Sequence, residues 1–281
     1  QNDYYAADEA RPGEWIGVGS ARLGLPKTVS REAFVSLCEN RDPNTGTRLS
    51  QRQLAEGKRR VFYDFTCSAP KSVSILAVTL DDPRLVSAHQ EAARIAFGEL
   101  EGFASTRVRN QGPSSDRSTG NLVAAKFLHT SSRALDPQLH SHFTVFNATW
   151  DAQETRWKAL QAGPMYLAIR YATQVYRNEL ARRVQSAGYL VRSQGPSFEI
   201  LGVPEALLQR FSKRSAQRDV IVREMEARLG RRLSNDEISH AVHQSRPRKL
   251  SGITTAEVRA RQVAQLTPEE SPALGSLRQH C

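Results

Sequence analysis

The chain has 281 residues with 39 Lys and Arg against 29 Asp and Glu, so its formal net charge is +10 and its sequence pI about 9.9. Hydrophobic residues make up 39% and charged residues 24% of the chain, which excludes a wholly disordered or collagen-like protein. No apolar run approaches the roughly 20 residues of a membrane helix, and three cysteines are too few for a disulfide framework. We therefore expect a cytoplasmic protein, without a secretion signal in its acidic first residues.

The positive surplus favours a polyanionic partner, because phosphates that are neutralised by Lys and Arg release their counterions. The basic clusters are scattered along the chain, so they would have to converge in space to form one surface. Charge alone is equally compatible with a nucleic-acid-binding protein and with a protein that is simply basic.

The elements predicted in the first two thirds of the chain alternate helices and strands with polar loops. A segment rich in Gly and Pro at 12–26 predicts packed turns without a helix, and a stretch rich in Ser, Gly and Asn at 109–120 predicts a loop. The remaining patterns predict a helix at 29–38 with Ser30 as its N-cap, a buried strand at 60–68, a helix at 84–101, strands at 121–129 and 140–150, and a helix at 164–187.

The last third predicts a hairpin at Gly195-Pro196, followed by charged helices at 204–228, 235–245 and 254–265. Taken together, these elements predict an α+β fold with a helical, basic C-terminal part. We place the α+β core at 1–203, the helical extension at 204–265 and a loose tail at 266–281.

Three histidines are the strongest chemical signal. His140 and His142 lie two residues apart on a predicted strand and so share a face, and His129 ends the neighbouring strand. Three imidazoles that converge on one point make a metal site with open coordination positions. An incidental polar pair is the alternative interpretation. We interpret a second pair, His240 and His243, as a solvated helix face, because no third ligand accompanies it.

Two other features could take part in chemistry. Asp64 lies in the apolar strand VFYDFTC, where a carboxylate is costly unless it orients a metal-bound His, accepts a proton or pairs with an Arg. For the first two roles, Asp64 must face the three histidines.

Tyr4 and Tyr5 form an adjacent pair near the N-terminus. A phenol that attacks a phosphodiester conserves the ester bond as phosphotyrosine, which is the chemistry of cutting followed by rejoining.

Three segments together resemble the relaxase domain of the MobF (TrwC/TraI-like) class of conjugative relaxases, a branch of the HUH endonucleases. They are Asp3-Tyr-Tyr with the following GEWIGVGSARLGL, then DFTCSAPKSVSILA at 64–77, and GNLVAAKFLHTSSRALDPQLHSHFTVFN at 120–147. Order and spacing agree, and the similarity runs through FSKRS at 211–215 into the basic C-terminal part. No phosphate-binding loop of the G-x-x-x-x-G-K-[ST] type is present.

The resemblance implies a central antiparallel sheet flanked by helices, with His129, His140 and His142 holding one divalent metal. It also implies that Asp64 supports the nucleophile or a metal-ligating His. In the family, a tyrosine attacks single-stranded DNA at the nick site of a plasmid transfer origin, leaving a 5′-phosphotyrosyl link and a free 3′-OH, and the reverse reaction rejoins the strand. The family suggests Mg²⁺ or Mn²⁺, whereas three imidazoles also suit Zn²⁺ or another transition metal.

The chain departs from the family pattern in its tyrosines. Such relaxases carry two tyrosine pairs, and the distance from Tyr4-Tyr5 to Gly13-Glu-Trp15 matches the second. We expect the first pair to lie before Gln1, and we keep Tyr4 and Tyr5 as candidate nucleophiles.

The expected partner is single-stranded transfer-origin DNA flanked by a hairpin, with accessory DNA-binding and secretion-coupling proteins and without membrane insertion. The helices at 204–265 would embrace the DNA. Our candidate DNA contacts are basic residues of the loop before the Asp64 strand, of the rest of the core and of the C-terminal part: Arg59, Arg60, Lys71, Arg107, Lys126, Arg133, Lys213, Arg214, Arg246, Arg248 and Lys249.

Three other functions compete with a relaxase. A rolling-circle replication initiator of the same HUH type shares the chemistry but usually carries its tyrosine after the histidines. A metal-dependent hydrolase of small molecules would need only the three histidines, which leaves the basic surplus and the tyrosine pair unexplained. A DNA-binding chain without its nucleophile would bind the nick site and never become covalently attached to it.

Overall fold

The computed structural model of the chain describes residues 12–51, 60–109, 114–244 and 252–279. Its strands are β1 (Glu14–Ile16), β2 (Phe62–Ser68), β3 (Ser105–Val108), β4 (Ser115–Ser118), β5 (Ala124–Ser131), β6 (Pro137–Phe146), β7 (Thr149–Asp151), β8 (Arg156–Lys158), β9 (Leu160–Gln161), β10 (Val191–Gln194) and β11 (Ser197–Ile200). Its helices are α1 (Val18–Arg22), α2 (Arg31–Cys38), α3 (Lys71–Thr79), α4 (Pro83–Glu101), α5 (Gly163–Ser186), α6 (Glu205–Arg210), α7 (Lys213–Leu229), α8 (Asn235–Gln244), α9 (Thr255–Val263) and α10 (Glu270–Gln279).

These elements form two compact units, each of which is built from three separate stretches of the chain. The first unit takes its described residues from Gln1–Ser68, Ser87–His129 and His140–Arg183, and the second from Ala69–Val86, Thr130–Leu139 and Val184–Cys281. The division of function at residues 203 and 265 stays a prediction.

The largest sheet has four strands in the order β1-β5-β6-β2. β1 pairs with β5 and β2 pairs with β6, both antiparallel. β2 is an edge strand, and on one of its faces Asp64, Thr66 and Ser68 are exposed. The strand predicted as buried is therefore only half buried.

The two faces of this sheet carry different side chains, because neighbouring residues of a strand point to opposite faces. On one face Phe143 stacks on Phe97 of α4 at 4.8 Å between ring centroids, and Phe65 lies 5.6 Å from Tyr166 of α5. Hence α4 and α5 cover this face of the sheet.

The opposite face carries a hydrophobic core at one end of its strands. Phe146 of β6 lies 5.2 Å from Phe34 of α2 and 5.9 Å from Trp15 of β1, measured between ring centroids. Phe127 of β5 joins the same cluster, 6.1 Å from Phe34. Ser30 accepts a hydrogen bond from the backbone of Ala33, as an N-cap should, so the predicted start of α2 is confirmed.

Two predicted turn or loop regions were wrong. The Gly-rich segment at 12–26 contains β1 and α1, which are joined at Gly17, where a φ of 100° and the nearby Leu122 carbonyl leave no room for a side chain. Glu101 closes this join by accepting from the backbone of Val18 and of Leu122, at 2.8 and 2.7 Å. The stretch at 109–120 contains the strand β4, which pairs with β3. Its polar composition predicted a loop because this pairing partner cannot be recognised from composition.

The second unit confirms the hairpin at Gly195-Pro196, since β10 pairs with β11. The helix predicted at 204–228 is instead two helices, α6 and α7, separated at Phe211 and Ser212. α10 lies within the predicted loose tail, where Thr267 and Glu270 exchange hydrogen bonds that cap its start. Among the described residues, none of the helices has both the length and the apolar character that crossing a bilayer requires.

Candidate metal centre

The three predicted histidines meet on one face of the sheet. The ring centroids of His129 and His140 lie 5.3 Å apart, those of His129 and His142 5.5 Å, and those of His140 and His142 5.1 Å. His129 lies on β5 and the other two on β6, so strand alternation and the pairing of neighbouring strands bring them together.

Asp64 and Thr66 of β2 approach one of these rings. Both carboxylate oxygens of Asp64 lie within hydrogen-bond distance of His142 Nδ1, at 2.9 and 3.0 Å, and Thr66 Oγ1 lies at 3.1 Å. The antiparallel register, which sets Thr66 opposite His142, explains both contacts. A carboxylate that accepts from Nδ1–H selects the tautomer whose Nε2 has a lone pair for a metal.

The donor set and its spacing suit a metal ion. With nitrogen–metal distances of about 2.1 Å, three imidazoles at tetrahedral angles have ring centroids roughly 5.3 Å apart, and the measured separations are 5.1–5.5 Å. The His129 and His140 rings are stacked, with 27° between their planes. As they stand, no three His, Cys, Asp or Glu side chains of the described residues complete a coordination geometry. Binding would therefore require the rings to turn while their strands stay in place.

The site is accessible from outside. The Asp64 side chain is 37% exposed and that of His142 is 13% exposed. Thr66 is exposed beside them on the edge strand. Solvent therefore reaches the Asp64 and Thr66 side of the cluster, whereas His140 is buried at 8% exposure.

Thr66 is a site residue that the sequence prediction missed. It shares a strand face with Asp64, because the two residues are two positions apart. That spacing was visible in the sequence, but only the β2–β6 register shows that the face meets His142.

Among the predicted DNA contacts, Lys126 and Lys71 have partners within the protein. Lys126 is only 4% exposed, and its Nζ lies 2.8 Å from Glu14 Oε2. Together with Arg94, Lys126 holds the pKa of Glu14 below its usual value, although burial acts in the opposite direction as the largest single influence. Lys71 Nζ donates to the Pro137 carbonyl at 2.9 Å. DNA contact by Lys126 would require the buried ion pair to open.

The SAPKSVS segment and the FSKRS segment meet in the second unit. Glu199 of β11 accepts from the backbone N–H groups of Lys71 and Ser72, which caps the start of α3. Lys71 and Arg214 line a common cavity of about 310 Å³. Lys213 forms an ion pair with the buried Asp136 at 3.1 Å. Residues of the two segments therefore lie close together in the second unit. DNA contact by Lys71, Lys213 and Arg214 stays a prediction.

The other predicted contacts fall into two groups. Arg60 lies 5.3 Å from the centre of the Tyr63 ring, Arg107 is exposed beside Asp116, and Arg133 is half-buried. Arg59, Arg246, Arg248 and Lys249 lie outside the described residues, and so do the candidate nucleophiles Tyr4 and Tyr5.

The architecture is the expected α+β fold, with a central antiparallel sheet that has helices on both faces. Comparison with known proteins gives the same class. The family model of the TrwC relaxase matches residues 1–268. The chain belongs to the TrwC relaxase family.

Two curated relatives are multifunctional conjugation proteins TraI of Escherichia coli. One is 41% identical over 212 residues, and the other, from strain K12, is 39% identical over 212 residues. Each match covers 72% of this chain but only 12% of the relative, so the chain spans about 12% of the length of these proteins.

Solved structures of the conjugative relaxase TrwC are similar over almost the whole chain. A metal-bound complex with oriT DNA has a TM-score of 0.82 and 31% identity, covering 98% of this chain and 92% of that one. A copper-bound complex has a TM-score of 0.81 and 32% identity, covering 97% and 91%. A complex with a 27-mer DNA that comprises the recognition hairpin and the cleavage site has a TM-score of 0.82 and 31% identity, covering 98% and 93%.

Proposed function

We propose that this chain is the DNA-processing part of a conjugative relaxase, which nicks single-stranded transfer-origin DNA and rejoins it through a phosphotyrosyl intermediate. The observation that carries the proposal is the open cluster of His129, His140 and His142 with Asp64 beside it, in a chain of the TrwC relaxase family. The similar TrwC structures are complexes with oriT DNA, and the net charge of +10 suits a phosphate backbone.

We propose that the three histidines hold one divalent metal. When bound, such an ion supplies positive charge that stabilises the negative charge developing on the phosphate oxygens. The imidazole donors favour a first-row transition ion such as Mn²⁺ or Zn²⁺ over Mg²⁺, which prefers oxygen ligands.

The residues of the chain have separate tasks in the reaction. Asp64 fixes the ring and tautomer of His142 through Nδ1, and Thr66 supports the same nitrogen. The oxygen of Tyr4 or Tyr5 forms a bond to phosphorus while the bond from phosphorus to the 3′ oxygen breaks. The phenol loses a proton, and the leaving oxygen becomes a 3′-OH. The reverse attack by that 3′-OH restores the strand and releases the tyrosine.

The setting of this reaction belongs to the same proposal. We place it in the bacterial cytoplasm, together with accessory DNA-binding and secretion-coupling proteins of a transfer apparatus. The basic residues of 204–265 would embrace the DNA, and a hairpin beside the nick site would add a double-stranded contact.

The test mixes the chain with labelled single-stranded DNA that spans the transfer origin of its own element, in Mn²⁺ or in EDTA. We expect a denaturant-resistant protein–DNA adduct that requires the metal and that the Tyr4→Phe/Tyr5→Phe double variant does not form. His142→Ala should lower the rate of adduct formation by about a hundredfold or more, because it removes an imidazole from the metal-binding cluster. The control is Leu167→Ala on α5, at an 87% exposed residue outside the histidine cluster and outside the helices of 204–265, which should leave the rate unchanged.

Each other result has a definite meaning. An adduct that persists in EDTA contradicts a role for the metal. An adduct that persists in the double tyrosine variant shows that another residue is the nucleophile. Tight DNA binding without any adduct identifies a DNA-binding chain that lacks its nucleophile.

A further inference from the structure

A fourth histidine lies behind the metal-binding cluster, on the covered side of the sheet. His89 of α4 is completely buried, at 0% exposure. Its Nε2 lies 2.9 Å from Ser141 Oγ, and its Nδ1 lies 2.7 Å from the hydroxyl of Tyr176 on α5. Both ring nitrogens are therefore engaged, each with a different element.

Ser141 connects His89 to the site. It stands between His140 and His142 on β6, and its side chain points to the opposite face from theirs. Ser141 is itself fully buried, and it pairs in register with Cys67 of β2. Any displacement of β6 at Ser141 therefore moves the two histidines on either side of it.

The chemistry of His89 suits a fixed connector. Burial lowers the pKa of His89 to about 3, and the nearby Lys126 acts in the same direction, so the ring is neutral at ordinary pH. A neutral imidazole has one nitrogen that donates and one that accepts. Burial also raises the pKa of Tyr176 well above its usual value, so the phenol keeps its proton.

A buried imidazole is costly unless both nitrogens are hydrogen-bonded. An aliphatic side chain would fill a helix–sheet contact without this cost, as the buried alanines of α4, Ala92 and Ala93, do. The directed bonds of His89 therefore indicate a task other than filling space, and one of them ends on the residue between two of the proposed metal ligands.

We infer that His89 is a positioning residue of the metal centre, which holds Ser141 and thereby sets the positions of His140 and His142 on β6. This inference rests on the proposed function, because it needs the three histidines to bind a metal. His89 would fix β6 through Ser141 from the covered face of the sheet, whereas Asp64 contacts the ring of His142 on the other face.

Two near-isosteric variants separate the two bonds of His89. The side-chain amide of Gln reaches the place of Nε2 and can keep the bond to Ser141, whereas the amide of Asn reaches the place of Nδ1 and can keep only the bond to Tyr176. We expect His89→Gln to bind Co²⁺ with nearly wild-type affinity and His89→Asn to bind it about tenfold more weakly. The measurement is titration with Co²⁺, followed by the visible absorption of the histidine-bound ion.

Ser141→Ala provides a second route to the same bond. It removes the hydroxyl that His89 holds and should weaken Co²⁺ binding about tenfold. The double variant Ser141→Ala/His89→Asn should bind no more weakly than either single variant, because both remove the same contact. Leu180→Ala on α5 is the control for lost stability, since Leu180 is fully buried but has no part in this network. It should lower the free energy of unfolding and leave the Co²⁺ affinity unchanged.

Equal Co²⁺ affinities in the Gln and Asn variants overturn the inference, and so does wild-type affinity in Ser141→Ala. A Leu180→Ala variant that loses Co²⁺ affinity as strongly as His89→Asn overturns it as well, because general destabilisation would then explain the effect. If the wild-type chain binds no Co²⁺, both the proposed metal site and this inference fail. If it binds Co²⁺ and His142→Ala does not, the metal proposal stands whatever the His89 variants show.

Discussion

The two ends of one sheet face carry different chemistry on the same strands. At the apolar end, Phe146 of β6 and Phe127 of β5 pack into the core cluster with Trp15 and Phe34. At the imidazole end, the same two strands present His129, His140 and His142. His142 and Phe146 are four residues apart, about 13 Å along a strand.

This separation allows one pair of strands to serve stability and chemistry at once. The apolar end buries aromatic area and holds the strands in register. The imidazole end is left partly open at the edge strand, where a substrate can reach it. Changes at one end should therefore affect stability, and changes at the other should affect activity.

The largest expected effect is at the apolar end. Phe146→Ala removes a 1% exposed ring from contact with Phe34 and Trp15, so the free energy of unfolding should fall by about 3–5 kcal/mol. Denaturant unfolding measures this, and adduct formation per folded molecule should stay unchanged. Leu167→Ala, at an apolar residue that is 87% exposed, is the control and should change stability by less than about 0.5 kcal/mol. A large loss of activity in folded Phe146→Ala would show that the two ends are not independent.

An intermediate effect is expected at the imidazole end. Asp64→Asn keeps the shape but removes the charge beside His142 Nδ1, so adduct formation should slow by about 10–100-fold with weaker Mn²⁺ affinity. Stability should hardly change, because the carboxylate is 37% exposed. The control is Glu39→Gln at the end of α2, another exposed carboxylate, which should leave the rate as it is. If Asp64→Asn cleaves at the wild-type rate, Asp64 does not support the site.

The smallest effect is expected at the midpoint, Thr144, which lies between His142 and Phe146 on the same face. Thr144 is fully buried, and its Oγ1 has no hydrogen-bond partner within the described part of the chain. Thr144→Val replaces this hydroxyl by a methyl group of similar size, so the free energy of unfolding should rise by about 1 kcal/mol. Co²⁺ affinity should remain at the wild-type value. A destabilised variant would mean that the hydroxyl has a partner in the folded protein. Altered Co²⁺ affinity would mean that Thr144 also influences the histidine cluster.

Local patterns in the sequence were sufficient to predict which residues form the histidine cluster. The spacing of His140 and His142 assigned them to one strand face, and the apolar stretch before His129 predicted the neighbouring strand. These relations depend only on the two-residue period of a strand. The class of fold and the family could also be predicted, because the DFTCSAPKSVSILA and HTSSRALDPQLHSH segments are continuous in the chain.

Local patterns failed where order comes from distant partners. The ion pair of Lys126 with Glu14 on β1 could not be predicted from the sequence, and DNA contact by Lys126 stays a prediction. The Gly-rich segment at 12–26 looked like turns because its partners, Leu122 and Glu101, lie far along the chain.

The sequence by itself determined which residue types can hold a metal and on which strands they lie, because side-chain chemistry and strand alternation are local properties. Only the tertiary structure decided that Asp64 and Thr66 approach His142, which lies 78 and 76 residues away in the chain, and that His89 holds Ser141 from behind. These contacts depend on the register of β2 against β6 and on the packing of α4 on the sheet. The physical reason is that register and packing are set by the sum of many contacts over the whole core, which no short stretch of sequence contains.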